Sequence, residues 1–142
     1  MNNSDHLFLI DTSAWVLTLP PGAPQKAKSQ VDSLIARNMA ATTGVIFLEL
    51  LAGSKSEQER EKLERALEAI IYFPVQHEFW IKAASLYSML RKKGITVATL
   101  DALIVIVALE NGAGVVHADK HFDLISQQTR LKVVNLLEFN SA

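Results

Sequence analysis

Eight apolar residues in a row, Ala102 to Leu109, lie between Asp101 and Glu110. Thr99 can cap a helix here, and Asn111-Gly112 can end it. Such a helix is apolar nearly all round, so it has to be a central, buried element. It is far too short to span a bilayer. The rest of the chain must supply its cover.

The other segments supply that cover by alternation. His6 to Ile10 reads as a buried strand ending at Asp11-Thr12-Ser13. A helix from Ala14 to Leu19 is cut off by Pro20-Pro21-Gly22, and Gln25 to Arg37 forms an amphipathic helix with Val31, Leu34 and Ile35 inward. Met39 to Ala41 is a short strand, after which Thr42 or Thr43 can cap a helix from Gly44 to Ala52, stopped by Gly53. Ser56-Glu57-Gln58-Glu59 has the form of a capping box and opens a solvated helix to about Ile70. Tyr72 to Val75 is a connector or strand, and Glu78 to Lys93 a helix whose Arg91-Lys92-Lys93 complements its dipole. Gly114 to Ala118 reads as a strand, His121 to Gln127 as a short helix and Lys132 to Leu136 as a last strand. Strands alternating with helices predict one α/β domain over residues 1–142, with a mostly parallel sheet of four to five strands covered on both faces.

With 142 residues the chain can bury a real core, and 49% hydrophobic residues fit a globular protein. The absence of cysteine excludes disulfides, thiolate metal sites and Cys nucleophiles. Met1-Asn2-Asn3-Ser4-Asp5 lacks the basic start and apolar core of a signal peptide, so a cytoplasmic protein is expected. A net charge of −1 advertises no nucleic-acid binding, although an acidic pocket can cancel a basic rim in the sum.

Four acids sit at the edges of apolar segments. Asp11 follows Leu7-Phe8-Leu9-Ile10, Glu49 is the one charge between Val45 and Ala52, Asp101 opens the central helix, and Asp119 follows Val115-Val116-His117-Ala118. Carboxylates are rarely buried unless paired, hydrogen-bonded or bound to a cation. In an open parallel sheet, ligands bind beyond the carboxyl ends of the strands, which is where Asp11 and Asp119 fall. Asp101 meets the positive end of its helix dipole, and Glu49 must point into the same pocket to be tolerated. Converging carboxylates repel one another, and Mg²⁺ or Mn²⁺ neutralises such a set while keeping waters for hydrolysis. Phosphodiester cleavage is the natural reaction of that arrangement. Asp11 and Asp119 alone have a simpler reading as turn residues and Asp101 as a helix-dipole partner, while Glu49, with apolar neighbours on all sides, is harder to dismiss; the joint pattern carries the inference.

The blocks F-L-I-D-T-S-A-W, G-V-I-F-L-E-L-L-A-G, T-L-D-A-L-I-V-I-V-A-L-E-N-G-A and V-V-H-A-D-K-H-F-D-L-I, in this order and spacing, resemble PIN-domain ribonucleases. Specifically, they resemble VapC-type toxins of bacterial VapBC toxin–antitoxin pairs. The resemblance implies a PIN-like three-layer sandwich and a Mg²⁺- or Mn²⁺-dependent endoribonuclease that cuts structured RNA, often tRNA or rRNA, with a metal-activated water. It implies a homodimer silenced by a VapB-type antitoxin whose tail enters the groove. Asp11, Glu49, Asp101 and Asp119 match the family's catalytic, metal-holding acids. Asp123 matches a variable fifth acid, and Ser13 a residue that helps order the site near Asp11. Many relatives carry Thr or Ser where this chain has His117.

Lys120, His121 and Lys55 are candidates for RNA contact, and Arg91-Lys92-Lys93 reads equally as a solvated helix end. A zinc-type reading of His117 and His121 needs both rings aimed inward; the simpler reading packs His117 at the strand end and leaves His121 on the rim. Trp15, Phe79, Trp80 and Tyr87 can line an antitoxin or dimer groove, though aromatics at helical spacing more often build core. Two other functions fit an acidic pocket on a parallel sheet. One is a non-catalytic PIN-like module that binds RNA or protein. The other is a receiver-type phospho-acceptor domain, which wants paired acids after the first strand and an Asp after the third, both missing here.

Overall fold

The computed structural model describes residues 6–139, so the signal-peptide reading of residues 1–5 lies outside the described residues. Five strands form one sheet: β1 (Phe8–Ile10), β2 (Ala40–Thr43), β3 (Ile71–Phe73), β4 (Gly114–His117) and β5 (Val133–Asn135). Their order is β3-β2-β1-β4-β5 and every neighbouring pair is parallel. The helices are α1 (Thr12–Thr18), α2 (Gln25–Ala36), α3 (Gly44–Ala52), α4 (Glu57–Glu68), α5 (His77–Lys92), α6 (Thr99–Glu110) and α7 (His121–Ser126), followed by a 3-10 turn at Leu136–Phe139.

Successive residues of a strand point to opposite faces, and all residues of β2 and β4 are buried. Both faces of the sheet are therefore covered, as its parallel pairing demands. The edge strands β3 and β5 are more open. The apolar run of α6 is buried from Ala102 to Ala108, packed between α5 and β4. Sequence periodicity is weak there because no side of this run meets water.

The sheet starts at β1, grows outward through β2 and β3, then jumps back to place β4 on the other side of β1. The chain thus reverses direction between β1 and β4, opening a crevice at their carboxyl ends. Receiver-type sheets of the flavodoxin-like kind follow the order 2-1-3-4-5, which this sheet does not share.

Several ends differ from expectation for local reasons. β1 starts at Phe8, where both neighbours become available: Phe8 lies opposite Ala40 and Gly114. β2 runs Ala40–Thr43 rather than Met39–Ala41, and β5 stops at Asn135 where the 3-10 turn begins. Thr43 occupies the N-cap of α3 without capping it, because its hydroxyl donates to the Phe73 carbonyl across the sheet at 2.6 Å. Thr99 does not cap α6; Ala98 holds that position and Thr99 is the first helical residue. Ser56 does cap α4, accepting the Glu59 N–H at 3.1 Å, but Glu59 reaches the Lys55 N–H instead of that of Ser56.

Candidate active site

β1 ends where its backbone turns into α1, and Asp11 is the residue of that turn. Its N–H donates to the Val116 carbonyl of β4 at 2.9 Å, which fixes the turn to the sheet. Its carboxylate caps α1, with Oδ2 accepting the Ser13 N–H at 3.0 Å and the Ser13 hydroxyl at 2.6 Å. Asp11 is only 5% exposed. Burial pushes its carboxyl above the ordinary range, the Ser13 bonds pull it back, and Glu49 pushes it up again.

Ser13 does more than hold Asp11. Its Oγ also accepts the Ala118 N–H at 3.0 Å, joining α1 to the segment that leaves β4. One residue further, Asp119 takes the His121 N–H on Oδ1 at 3.0 Å, and the His121 ring nitrogen Nδ1 lies 3.1 Å from the same oxygen. Asp101 stands in the first turn of α6, half-buried. Ligand atoms of Asp101, Asp119 and His121 all lie within 4.8 Å of one another.

Glu49 projects from α3 and accepts the Thr12 hydroxyl at 2.7 Å. It is not the trapped acid that its apolar neighbours suggested: Glu49 is exposed, and Leu48 beside it is 69% exposed. The open side of α3 carries them both. Of the four acids, Asp11 alone is buried.

The charges still meet. Asp101 is raised from 3.8 to about 6, first by burial and then by repulsion from Asp11, Asp119 and Glu49, with His121 opposing. Four carboxylates from four segments thus act on one another at the β1–β4 crevice. Such a set of oxygen donors, one already inclined to hold a proton, fits a hard divalent cation.

Asp123 is not among the groups that act on Asp101, and its partners are others. Its Oδ1 lies 3.2 Å from His117 Nε2, and its Oδ2 accepts from Asn135 Nδ2 at 2.7 Å. His117 is fully buried against Phe122, with ring centroids 5.2 Å apart, and its Nδ1 accepts the Asp119 N–H at 3.1 Å. Both its nitrogens are engaged by the protein, so a His117–His121 zinc pair is not what this fold builds. Thr12 and Asn135 escaped the sequence reading. Thr12 had a signal in its place beside Asp11; Asn135 had none, because only β5 pairing brings it to Asp123.

Among the basic candidates, Lys120 is exposed at the start of α7, next to Asp119. Lys55 lies in the turn before α4, and none of the side-chain hydrogen bonds among the described residues links it to the acids. Arg91 stacks 5.5 Å from the Tyr87 ring, and Lys93 donates to Gln128. Trp15 and Phe79 belong to the core, while Trp80 is 53% exposed and Tyr87 half-buried.

A family model described as PIN domain matches residues 8–127. Ribonuclease VapC11 of Mycobacterium tuberculosis is 32% identical over 133 residues, covering 91% of this chain and 98% of that protein. VapC ribonuclease Mb1587 of Mycobacterium bovis matches with the same identity and coverage. Among solved structures, VapBC2 from Rickettsia felis, bound to a DNA fragment from its promoter, superposes with a TM-score of 0.75. The identity there is 22%, over 91% of this chain and 98% of that one, so the likeness is one of fold.

Proposed function

The chain belongs to the PIN-domain family, on the branch of the VapC proteins, and from that premise we propose that it is a Mg²⁺- or Mn²⁺-dependent endoribonuclease. It is the toxin of a type II toxin–antitoxin pair, works in the cytoplasm and cuts structured RNA such as tRNA or rRNA. The observation that supports this most is the convergence of Asp11, Glu49 and Asp119 on Asp101.

Asp101, Asp119 and Asp11 are the residues that would hold the cation, with Glu49 completing the acidic set. When bound, a divalent ion supplies charge neutralisation, activation of water and stabilisation of the departing oxygen. The protein supplies orientation. Ser13 fixes the Asp11 carboxylate and the Ala118 backbone together, and Thr12 holds Glu49. Lys120 offers positive charge to an RNA phosphate at the rim, and His121 can contact the same strand beside it.

The VapB-type antitoxin and a second copy of the chain need apolar landing faces. Exposed apolar side chains among the described residues include Leu48 with Tyr72, and Trp80 with Leu100. No helix among the described residues is long and apolar enough to cross a membrane.

Purified, antitoxin-free protein is expected to cleave RNA with Mn²⁺, to stop in excess EDTA and to resume when metal is restored. Asp11→Asn and Asp101→Asn should each lose more activity than the ~100-fold that loss of an outer-shell partner can cost. Cleavage at the wild-type rate by either variant, or in EDTA, overturns the mechanism. A protein inert on total RNA points to a non-catalytic binding module.

A further inference from the structure

Under the turn that carries Asp119 lies His117, the last residue of β4, with no exposed surface. A buried imidazole is unfavourable unless its nitrogens find partners. Its Nδ1 accepts the backbone N–H of Asp119 at 3.1 Å. A ring nitrogen that accepts carries no proton, so the single N–H of this imidazole is on Nε2. That N–H faces Asp123 Oδ1 at 3.2 Å, and the other oxygen of Asp123 takes the Asn135 amide at 2.7 Å. The bonds run in a consistent sense from the Asp119 N–H to His117, and from His117 and Asn135 to Asp123. No member needs a second proton.

The consequence falls on the turn. The N–H groups of Ala118, Asp119 and His121 are each pinned, by Ser13 Oγ, His117 Nδ1 and Asp119 Oδ1 respectively. A ring that merely filled the core beside Phe122 could be apolar; this one is tied to the backbone of a functional acid.

We propose that His117 is a positioning residue, which Asp123 and Asn135 fix in one tautomer so that it holds the Asp119 backbone and aims its carboxylate at Asp101. The role rests on the reading of Asp119 as a cation ligand. It also casts Asp123 as a support acting through His117, to which its Oδ1 is turned, while Asn135 holds its Oδ2. Outer-shell partners of this kind set metal affinity through the ligands they orient.

The test is calorimetric titration of Mn²⁺ into the wild type, His117→Phe, His117→Asn, Asp123→Asn and Asp119→Asn, with circular dichroism to confirm folding. His117→Phe keeps the bulk and loses both bonds; His117→Asn keeps an oxygen near the Nδ1 position to accept the Asp119 N–H. His117→Phe is expected to weaken Mn²⁺ about 10- to 100-fold, His117→Asn to recover most of that, and KM for RNA to stay unchanged. Asp123→Asn should fall between wild type and Asp119→Asn. Nitrogen-15 spectra of the wild-type imidazoles should show His117 protonated at Nε2. If His117→Phe fails to fold, the tautomer and the ranking of the other variants decide. Wild-type affinity in His117→Phe, a proton on Nδ1, or Asp123→Asn as damaging as Asp119→Asn overturns the positioning role alone. A wild type that binds no Mn²⁺ overturns the metal-nuclease reading and this role with it.

Discussion

Ser13 serves two acids with one hydroxyl, donating to Asp11 and accepting from the segment that carries Asp119. Ser13→Ala leaves the Ala118 N–H without its partner and removes one of two Ser13 bonds from a buried carboxylate. Chemical denaturation should show a loss of roughly 1–3 kcal/mol. Asp101 works in the opposite sense. Its folded-state carboxyl titrates near 6 against an ordinary 3.8, so the fold holds that proton more tightly than the unfolded chain. Between those values, metal-free protein loses stability as pH rises, and the penalty is complete above pH 6. Asp101→Asn in EDTA should therefore be more stable than wild type at pH 7, by roughly 0.5–2 kcal/mol, with a smaller gain at pH 5. Denaturation curves at both pH values check the sign. The acids at strand ends were legible because a carboxylate after an apolar run needs a reason. Glu49 was legible as a site candidate and misread as buried, because sequence does not separate an apolar face packed in the core from one left open.

At the level of elements, alternation of strands and helices was readable from periodicity and turn residues, and α3 begins and ends where its Thr-Gly start and Gly stop place it. Caps were less legible. A threonine before a helix can spend its hydroxyl elsewhere, as Thr43 does on Phe73, and only the paired strand reveals that choice. Gly114 shows a similar dependence on the sheet. A Cβ there would meet Phe8 Cε1 at 2.7 Å and the Lys132 carbonyl at 2.8 Å, so β1, β4 and β5 close only over a bare backbone. Gly114→Ala should lower stability by roughly 1–3 kcal/mol, read from thermal or denaturant unfolding, and an unchanged midpoint would show that β5 can shift without penalty.

For the whole molecule, the exposed apolar faces at Leu48 and Trp80 are where association and stability separate. Leu48→Lys and Trp80→Lys should each leave stability within about 0.5 kcal/mol, while at least one reduces self-association in sedimentation. Loss in neither would count against a self-contact at either face. Sequence could not assign these faces, since the same residue types fill the core. The crevice between β1 and β4 has a further consequence, for synthesis. Its two walls come from opposite ends of the chain, and Ser13 meets Ala118 only after nearly everything between them has been made. A polypeptide halted before β4 has one wall and no crevice. Premature termination should then release harmless pieces rather than a smaller enzyme, and a cell would face cleavage only from finished copies.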